Sequence, residues 1–313
     1  MGPAILLMGP TGAGKTDAAI EIAARLPVEI ISVDSAMVYR GLDIGSAKPS
    51  MDVRQRCPHH LVDVCDPSER YSAGEFLRDV VPLMAEIRAR QRWPLLVGGT
   101  MLYLRALQAG LATLPSADTA VRARIGARAQ LLGWPALHAE LAAVDPTAAK
   151  RIAPKDAQRI QRALEVHELT GTPLSQLQQE TLKTAQPSDY LRLVLAPVDK
   201  TELDARLTTR FDAMLAAGFL EEVRALHARG DLSADLPALR SVGYRQLWMY
   251  LEGQCGLAEA REMAIVATRQ LAKRQYTWLR AEPDARWISP MQPHAIDKLS
   301  EFIAEWIARR EAI

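Results

Sequence analysis

Over roughly the first third of the chain, short apolar runs alternate with stretches whose apolar positions recur every three or four residues. The runs Ala4–Met8, Val28–Val33, Leu61–Val64 and Leu95–Val97 predict strands. The segments Asp17–Leu26, Ser72–Arg90 and Met101–Gln108 predict helices, the second of them bent or split by Pro82. Such alternation is the pattern of an α/β fold built on a parallel sheet. From Leu114-Pro115-Ser116 onward strand signals nearly vanish. Residues 116–185 are rich in Ala, Leu, Gln and Arg and break near Gly133–Pro135, Asp145-Pro146 and Gly171–Pro173, which predicts a helical insertion. Leu191–Leu195 restores one strand, and the remainder from Lys200 reads as mostly helical. The expected organisation is a core of residues 1–115 and 186–313, interrupted by a helical domain at 116–185.

The first strand runs straight into Gly9-Pro10-Thr11-Gly12-Ala13-Gly14-Lys15-Thr16, a complete G-x-x-x-x-G-K-[ST] phosphate loop. A strand that ends in glycines and turns into a helix aims several backbone N–H groups at one anion, and the helix N-terminus adds partial positive charge. Lys15 supplies a mobile cation and Thr16 a hydroxyl for Mg²⁺. The second strand delivers Asp34. Ligands of open α/β sheets sit beyond the carboxyl ends of the strands, so this carboxylate can hold a metal through water, take a proton, or cap the next turn. The strand at Leu95–Val97 ends in Gly98-Gly99-Thr100 rather than an acid, which points away from an ATP-hydrolysing motor and toward a transferase whose acceptor lies against the sheet, or to a plain turn.

Composition narrows the classes. With 313 residues, 49% hydrophobic and 24% charged, the chain has the make-up of a globular protein with a sizeable core. A formal charge of +1 gives no global pull on nucleic acid, so any basic surface is local. Cys57, Cys65 and Cys255 have neither metal nor Cys-x-x-Cys spacing. No apolar run has membrane length and no signal peptide precedes the first strand; these features predict a cytoplasmic protein, and the lack of a heptad seam predicts a monomer.

Basic residues recur at helical spacing twice. Arg151, Lys155, Arg159 and Arg162 form one stripe; Arg269, Lys273 and Arg280, with Arg274 beside them, form another, in which Tyr276 and Trp278 interleave. Such stripes are either solvated faces or, with aromatics between the charges, nucleic-acid surfaces. Arg240-Ser241-Val242-Gly243-Tyr244-Arg245 adds a further basic and aromatic turn, and Arg206 and Arg210, one turn apart, can each reach a pyrophosphate.

Taken with Gly41–Pro49, His59–Asp63, Val97–Tyr103, Asp156–Glu165 and Ser241–Gln246, these segments make the chain resemble the bacterial tRNA dimethylallyltransferases over essentially its whole length. The resemblance implies a P-loop NTPase-like core, a helical insertion that holds the anticodon stem, Mg²⁺, and transfer of a dimethylallyl group from dimethylallyl diphosphate to N6 of adenosine 37, just 3′ of the anticodon. Carried onto matching positions, it makes Gly9–Thr16 the diphosphate cradle and gives catalytic roles to Asp34, Thr100, Lys15 and Arg210, the last in competition with Arg206. It assigns tRNA contacts to Asp34, Ser35, Ala36 and Met37; to Thr100 and Arg122; and to Gln158, Arg159, Ile160, Gln161 and Arg162. Further contacts fall on Arg240, Ser241, Val242, Gly243, Tyr244 and Arg245, and on Lys273, Arg274, Gln275, Tyr276, Thr277, Trp278, Leu279 and Arg280. The rival classes are a P-loop kinase of a small molecule or nucleotide, and a nucleotide-switched RNA-binding protein.

Overall fold

The computed structural model describes residues 2–110, 114–184 and 189–312. Contacts divide the chain into two compact units, Met1–Leu104 with Ser188–Ile313, and Arg105–Pro187. The expected boundary between 185 and 186 lies outside the described residues.

The first unit opens with β1 (Ala4–Met8), α1 (Lys15–Arg25), β2 (Val28–Val33), α2 (Met51–Arg56), β3 (His59–His60), α3 (Ala73–Ala89), β4 (Trp93–Gly98) and the start of α4 (Met101–Ala109). The second unit holds α5 (Thr119–Leu132), α6 (Trp134–Val144), α7 (Pro146–Arg151), α8 (Ala157–Thr170) and α9 (Leu174–Thr184). The chain returns to the first unit with β5 (Tyr190–Leu195), α10 (Lys200–Ala216), α11 (Phe219–His227), α12 (Tyr244–Leu251), α13 (Leu257–Leu279), β6 (Arg286–Ile288) and α14 (Ala295–Glu311).

Among the described residues six strands form one parallel sheet, in the order β3-β2-β4-β1-β5-β6. The apolar runs bury both faces, as a covered parallel sheet requires. One face packs Ile5, Leu7, Leu95 and Leu193 against Ala19 and Ile22 of α1 and Leu299, Ile303 and Trp306 of α14. A second apolar cluster gathers Val38, Tyr39 and Leu42 with Phe211, Phe219, Val223, Tyr244, Leu247 and Ile265 from α10 to α13. The helical unit has its own core of Val121, Ile125, Leu137, Leu141, Ile160, Leu164 and Val166.

Three local expectations are corrected. The strand read at Leu61–Val64 is instead His59–His60, paired with Ile30 and Ile31. Leu61 and Asp63 take left-handed backbone at φ 59 and 58, which breaks extension. Pro82 does not split its helix, since α3 runs unbroken over 17 residues. The proline lies on the exposed side, where the carbonyl it cannot pair is not sealed in the core, and a Ser72–Glu75 capping box secures the start. The edge strand β6, only three residues long, lies beside β5 in a segment read as mostly helical, which gave no sign of it.

Candidate active site

The register of the sheet aligns three strand ends. Gly98 of β4 pairs with Met8 of β1 on one side and Val33 of β2 on the other. The phosphate loop, the Gly99-Thr100 turn and Asp34 therefore leave the sheet side by side, with about 10 Å between the outer two at ordinary strand spacing. β4 admits no side chain at this level: a Cβ on Gly98 would lie 2.1 Å from the Val33 carbonyl oxygen.

Gly12 and Gly14 adopt φ 78 and 81, left-handed geometry that curls the loop into a cradle. Gly14 caps α1 with no side-chain bond. The amides of Gly12, Gly14, Lys15 and Thr16 donate to none of the described residues. Open amides at an uncapped helix start form an anion site. The Thr11 amide is different: it donates to the Gln275 side-chain oxygen at 2.8 Å and is withdrawn from phosphate binding.

Lys15 Nζ donates to the Pro10 carbonyl at 2.7 Å. Burial brings its ammonium down to about 8, Asp34 pulling it back up and Arg210 pressing it further down. Burial likewise lowers the Arg210 guanidinium, while Asp34 and Asp17 raise it. Lys15, Asp34 and Arg210 thus act on one another across one cavity of about 870 Å³ that all three line. Arg206 is not among its lining residues; it reaches the Met291 sulfur at 3.4 Å. Arg210 thus lines the cavity, while Arg206 runs beside the loop, its Nη2 3.9 Å from where a Cβ on Gly14 would lie.

Asp34 does cap its turn. Its Oδ1 accepts the amides of Ala36 at 2.8 Å and Met37 at 3.3 Å, while Oδ2 accepts nothing from the described residues. One oxygen fixes the carboxylate and the other stays free for chemistry. Thr100 Oγ1 accepts the Ser35 amide at 3.0 Å and donates to the Ser35 hydroxyl at 3.4 Å, tying the β4 turn to the residue after Asp34. Met37, Val97, Met101, Phe211, Met214, Leu271 and Trp278 supply apolar wall to the same cavity. Polar anchors at one end of an apolar chamber suit a ligand with an anionic head and a hydrocarbon tail.

The segments read as RNA contacts divide by burial. Ser35, Arg240, Arg245, Lys273, Arg274, Thr277, Trp278 and Arg280 are exposed, with Ala36, Met37, Ser241 and Val242 half-buried; Gln158 and Arg159 are exposed on α8 of the helical unit. Other side chains in these segments are engaged within the protein. Ile160 and Leu279 are wholly buried in apolar cores. Gly243, the buried N-cap of α12, presents no side chain. Tyr244 is buried with its hydroxyl on Glu222 at 2.6 Å, and Tyr276 donates to the Pro197 carbonyl at 2.7 Å. Gln275 bridges Thr11 and Gly99. In the helical unit Arg122 and Arg162 converge on the fully buried Glu165 at 2.8 and 2.7 Å, and Gln161 donates to the Arg122 carbonyl. The two arginines hold Glu165 below the usual carboxylate range against the opposing effect of burial.

Sequence reasoning missed two residues that shape the site. Glu222 accepts the amides of Asp43, Ile44 and Gly45 and the Tyr244 hydroxyl. Lys48 donates to the Tyr39 carbonyl at 2.9 Å and to the carboxylates of Asp43 and Asp63 at 2.5 and 2.6 Å. Together they fasten the loop after Asp34. Glu222 binds residues 177–179 positions away, so no local spacing signals it.

The chain matches the family description IPP transferase over residues 37–282 and that of isopentenyl transferase over 3–57. It is 54% identical over 308 residues to the tRNA dimethylallyltransferase of Bordetella petrii, covering 98% of both chains. It is 53% identical over 306 residues to that of Ralstonia pickettii, covering 96% of this chain and 94% of the other. Among solved structures it superposes on the full-length tRNA isopentenylpyrophosphate transferase of Bacillus halodurans with a TM-score of 0.73 at 34% identity, covering 100% and 99% of the two chains. A eukaryotic dimethylallyltransferase acting on tRNA gives a TM-score of 0.76 at 26% identity, covering 93% of this chain and 74% of that one.

Proposed function

Because the chain belongs to the IPP transferase family of tRNA-prenylating enzymes, we propose that its cavity joins dimethylallyl diphosphate to N6 of adenosine 37 of a tRNA and releases diphosphate. The observation that carries this reading is the shared field of Lys15, Asp34 and Arg210: a cradle for a departing anion faces a carboxylate with one free oxygen.

The open amides of Gly12, Gly14, Lys15 and Thr16, together with the Lys15 and Arg210 side chains, hold the diphosphate, and the apolar wall takes the five-carbon group. As the allylic C–O bond breaks, its electron pair leaves with the diphosphate, where fixed amides and cations stabilise the growing charge. Adenine N6 is a weak nucleophile, because its lone pair is drawn into the ring. Asp34 Oδ2 takes a proton from N6 as the N6–C1 bond forms, the N–H electron pair staying on nitrogen, which keeps positive charge off that atom. Thr100, through Ser35, holds the turn that aims the carboxylate. The purine must leave its stack to enter the chamber.

Among the described residues no three His, Cys, Asp or Glu side chains converge as a metal nest. A divalent ion would instead take few protein ligands, and the cavity-lining Thr16 hydroxyl fits Mg²⁺ bound mainly through diphosphate oxygens and water. When bound, the ion would add charge neutralisation on the leaving group. The exposed Lys273, Arg274 and Arg280 on and beside α13 and Gln158 and Arg159 on α8 form the proposed RNA contacts, and residues 116–185 the domain that holds the anticodon stem. No helix among the described residues is long and apolar enough to cross a membrane; we take the enzyme to act as a cytoplasmic monomer.

The test is to supply labelled dimethylallyl diphosphate and unmodified tRNA without nucleoside triphosphate. Label appears in RNA at adenosine 37 if the reading holds; a kinase or a nucleotide switch leaves the RNA unlabelled.

A further inference from the structure

Gln275 lies on α13, the helix that also carries the exposed Lys273, Arg274 and Trp278. Its own side chain is 7% exposed and crosses the interior between the two halves of the active site. Oε1 accepts the Thr11 amide of the phosphate loop at 2.8 Å, and Nε2 donates to the Gly99 carbonyl at 2.8 Å. Each contact is one step from chemistry. Thr11 adjoins the open amide of Gly12, and Gly99 precedes Thr100, whose hydroxyl grips the residue after Asp34. The fit is tight, since a Cβ on Gly99 would lie 2.3 Å from Gln275 Nε2 and 3.0 Å from the Gly9 carbonyl oxygen.

We propose that Gln275 is a positioning residue, a strut that sets the spacing between the diphosphate cradle and the acceptor turn and fixes both to α13. The inference rests on the prenyl-transfer reading above. The task calls for a group that both accepts and donates, as a neutral amide does. It must accept from an N–H and donate to a C=O at once, so Glu, Leu and Lys each fail at one end or both. A primary amide buried with both ends satisfied also rigidifies what it joins, because leaving either backbone group unpaired in the interior is costly. In-line displacement needs the reacting atoms aligned closely, and a misplacement of about 1 Å can cost on the order of a hundredfold in rate.

The decisive variant is Gln275→Glu. Its carboxylate still accepts from Thr11 but faces the Gly99 carbonyl with no hydrogen to give. The repulsion raises its pKa, and protonation restores the missing donor. Gln275→Glu should therefore lose activity about tenfold or more at pH 8 and regain it as pH falls toward 6, while the wild-type rate does not rise over that range. Gln275→Leu should lose activity at every pH, with KM for dimethylallyl diphosphate raised and kcat lowered, while tRNA affinity measured without donor changes less than about twofold. In the wild-type protein, hydrogen exchange at the Thr11 amide should be slow. Wild-type kinetics from Gln275→Glu, a loss that acid does not reverse, or fast exchange at Thr11 would each overturn the strut. Should the variants fail to fold, the Thr11 exchange rate still decides. If wild-type enzyme prenylates no tRNA, the functional reading fails instead, and the two failures are distinct.

Discussion

Lys15 and Pro10 close the phosphate loop on itself, the lysine ammonium donating to the proline carbonyl at 2.7 Å. Burial brings that ammonium down to about 8 from an ordinary 10.5, with Asp34 opposing and Arg210 adding to the effect. A base whose folded pKa lies below its unfolded one binds fewer protons when folded, so this group makes the protein more stable as pH rises from about 8 toward 10.5. Ligand binding has the opposite sign. A diphosphate favours the charged lysine, so binding takes up a proton above pH 8 and affinity falls as pH rises through that region. Calorimetry with inorganic diphosphate in buffers of different ionisation heat should record that uptake at pH 9. Lys15→Met should abolish it and weaken binding at pH 7.

Asp34 divides its labour between two oxygens, and Asp34→Asn separates them. The amide oxygen still accepts from Ala36 and Met37, so the turn survives. The NH₂ that replaces Oδ2 takes no proton from N6. Turnover should fall by about 10²–10⁴, with tRNA and diphosphate affinities within about threefold of wild type. Single-turnover kinetics with saturating substrates measures this directly. Near-normal turnover would remove Asp34 from the chemistry.

Much of this site was legible before any coordinates. A phosphate loop after an apolar run carries its own geometry, because glycine at positions 12 and 14 and a following helix leave few conformations open. Asp34 was legible as a carboxylate at a strand end. What stayed hidden are contacts between distant positions, such as Gln275 with Thr11 and Glu222 with the Asp43–Gly45 amides. Helical periodicity marked α13 as basic and aromatic, yet period alone does not say which of Gln275, Tyr276 and Trp278 faces water. Packing against Pro197 and Gly99 decides that. The edge strand β6 escaped because three residues beside prolines carry no alternation to read.

Exposure separates the basic residues that can meet RNA from those already engaged. Lys273 and Arg280 point to solvent. Lys273→Ala and Arg280→Ala should each weaken tRNA binding across sequences and lower the slope of log affinity against log salt by about one. Binding of dimethylallyl diphosphate should be unchanged. Fluorescence anisotropy over a salt series gives the slope, and an unaltered slope in both variants would exclude phosphate contact. Tyr276→Phe, which loses only a bond to the Pro197 carbonyl, should leave the slope intact.

Glu222 answers three successive backbone amides and one phenol, so its loss should exceed that of any partner. Glu222→Ala strands the amides of Asp43, Ile44 and Gly45 and the Tyr244 hydroxyl, a cost of about 2–4 kcal/mol. Tyr244→Phe removes a single bond and should cost about 1 kcal/mol. Urea unfolding of both variants tests the ranking; equal losses would mean that the carboxylate does not organise the loop.

Gly98 and Gly99 are neighbours with different reasons to lack a side chain. A methyl group on Gly98 would lie 2.1 Å from the Val33 carbonyl oxygen and 2.5 Å from its carbon, inside a parallel ladder whose backbone has nowhere to go. Gly98→Ala should therefore destabilise the fold by about 3 kcal/mol or more. At Gly99 the nearest atom is the Gln275 side-chain nitrogen, 2.3 Å away, and a side chain can rotate. Gly99→Ala should fold with a smaller loss, yet free the Thr11 amide and the β4 turn from their common tie. Thermal melts should rank Gly98→Ala far below Gly99→Ala, while prenyl transfer should fall about tenfold or more in Gly99→Ala even where the protein is fully folded. A folded Gly99→Ala enzyme with wild-type turnover would show that the spacing set at this turn is not needed for catalysis.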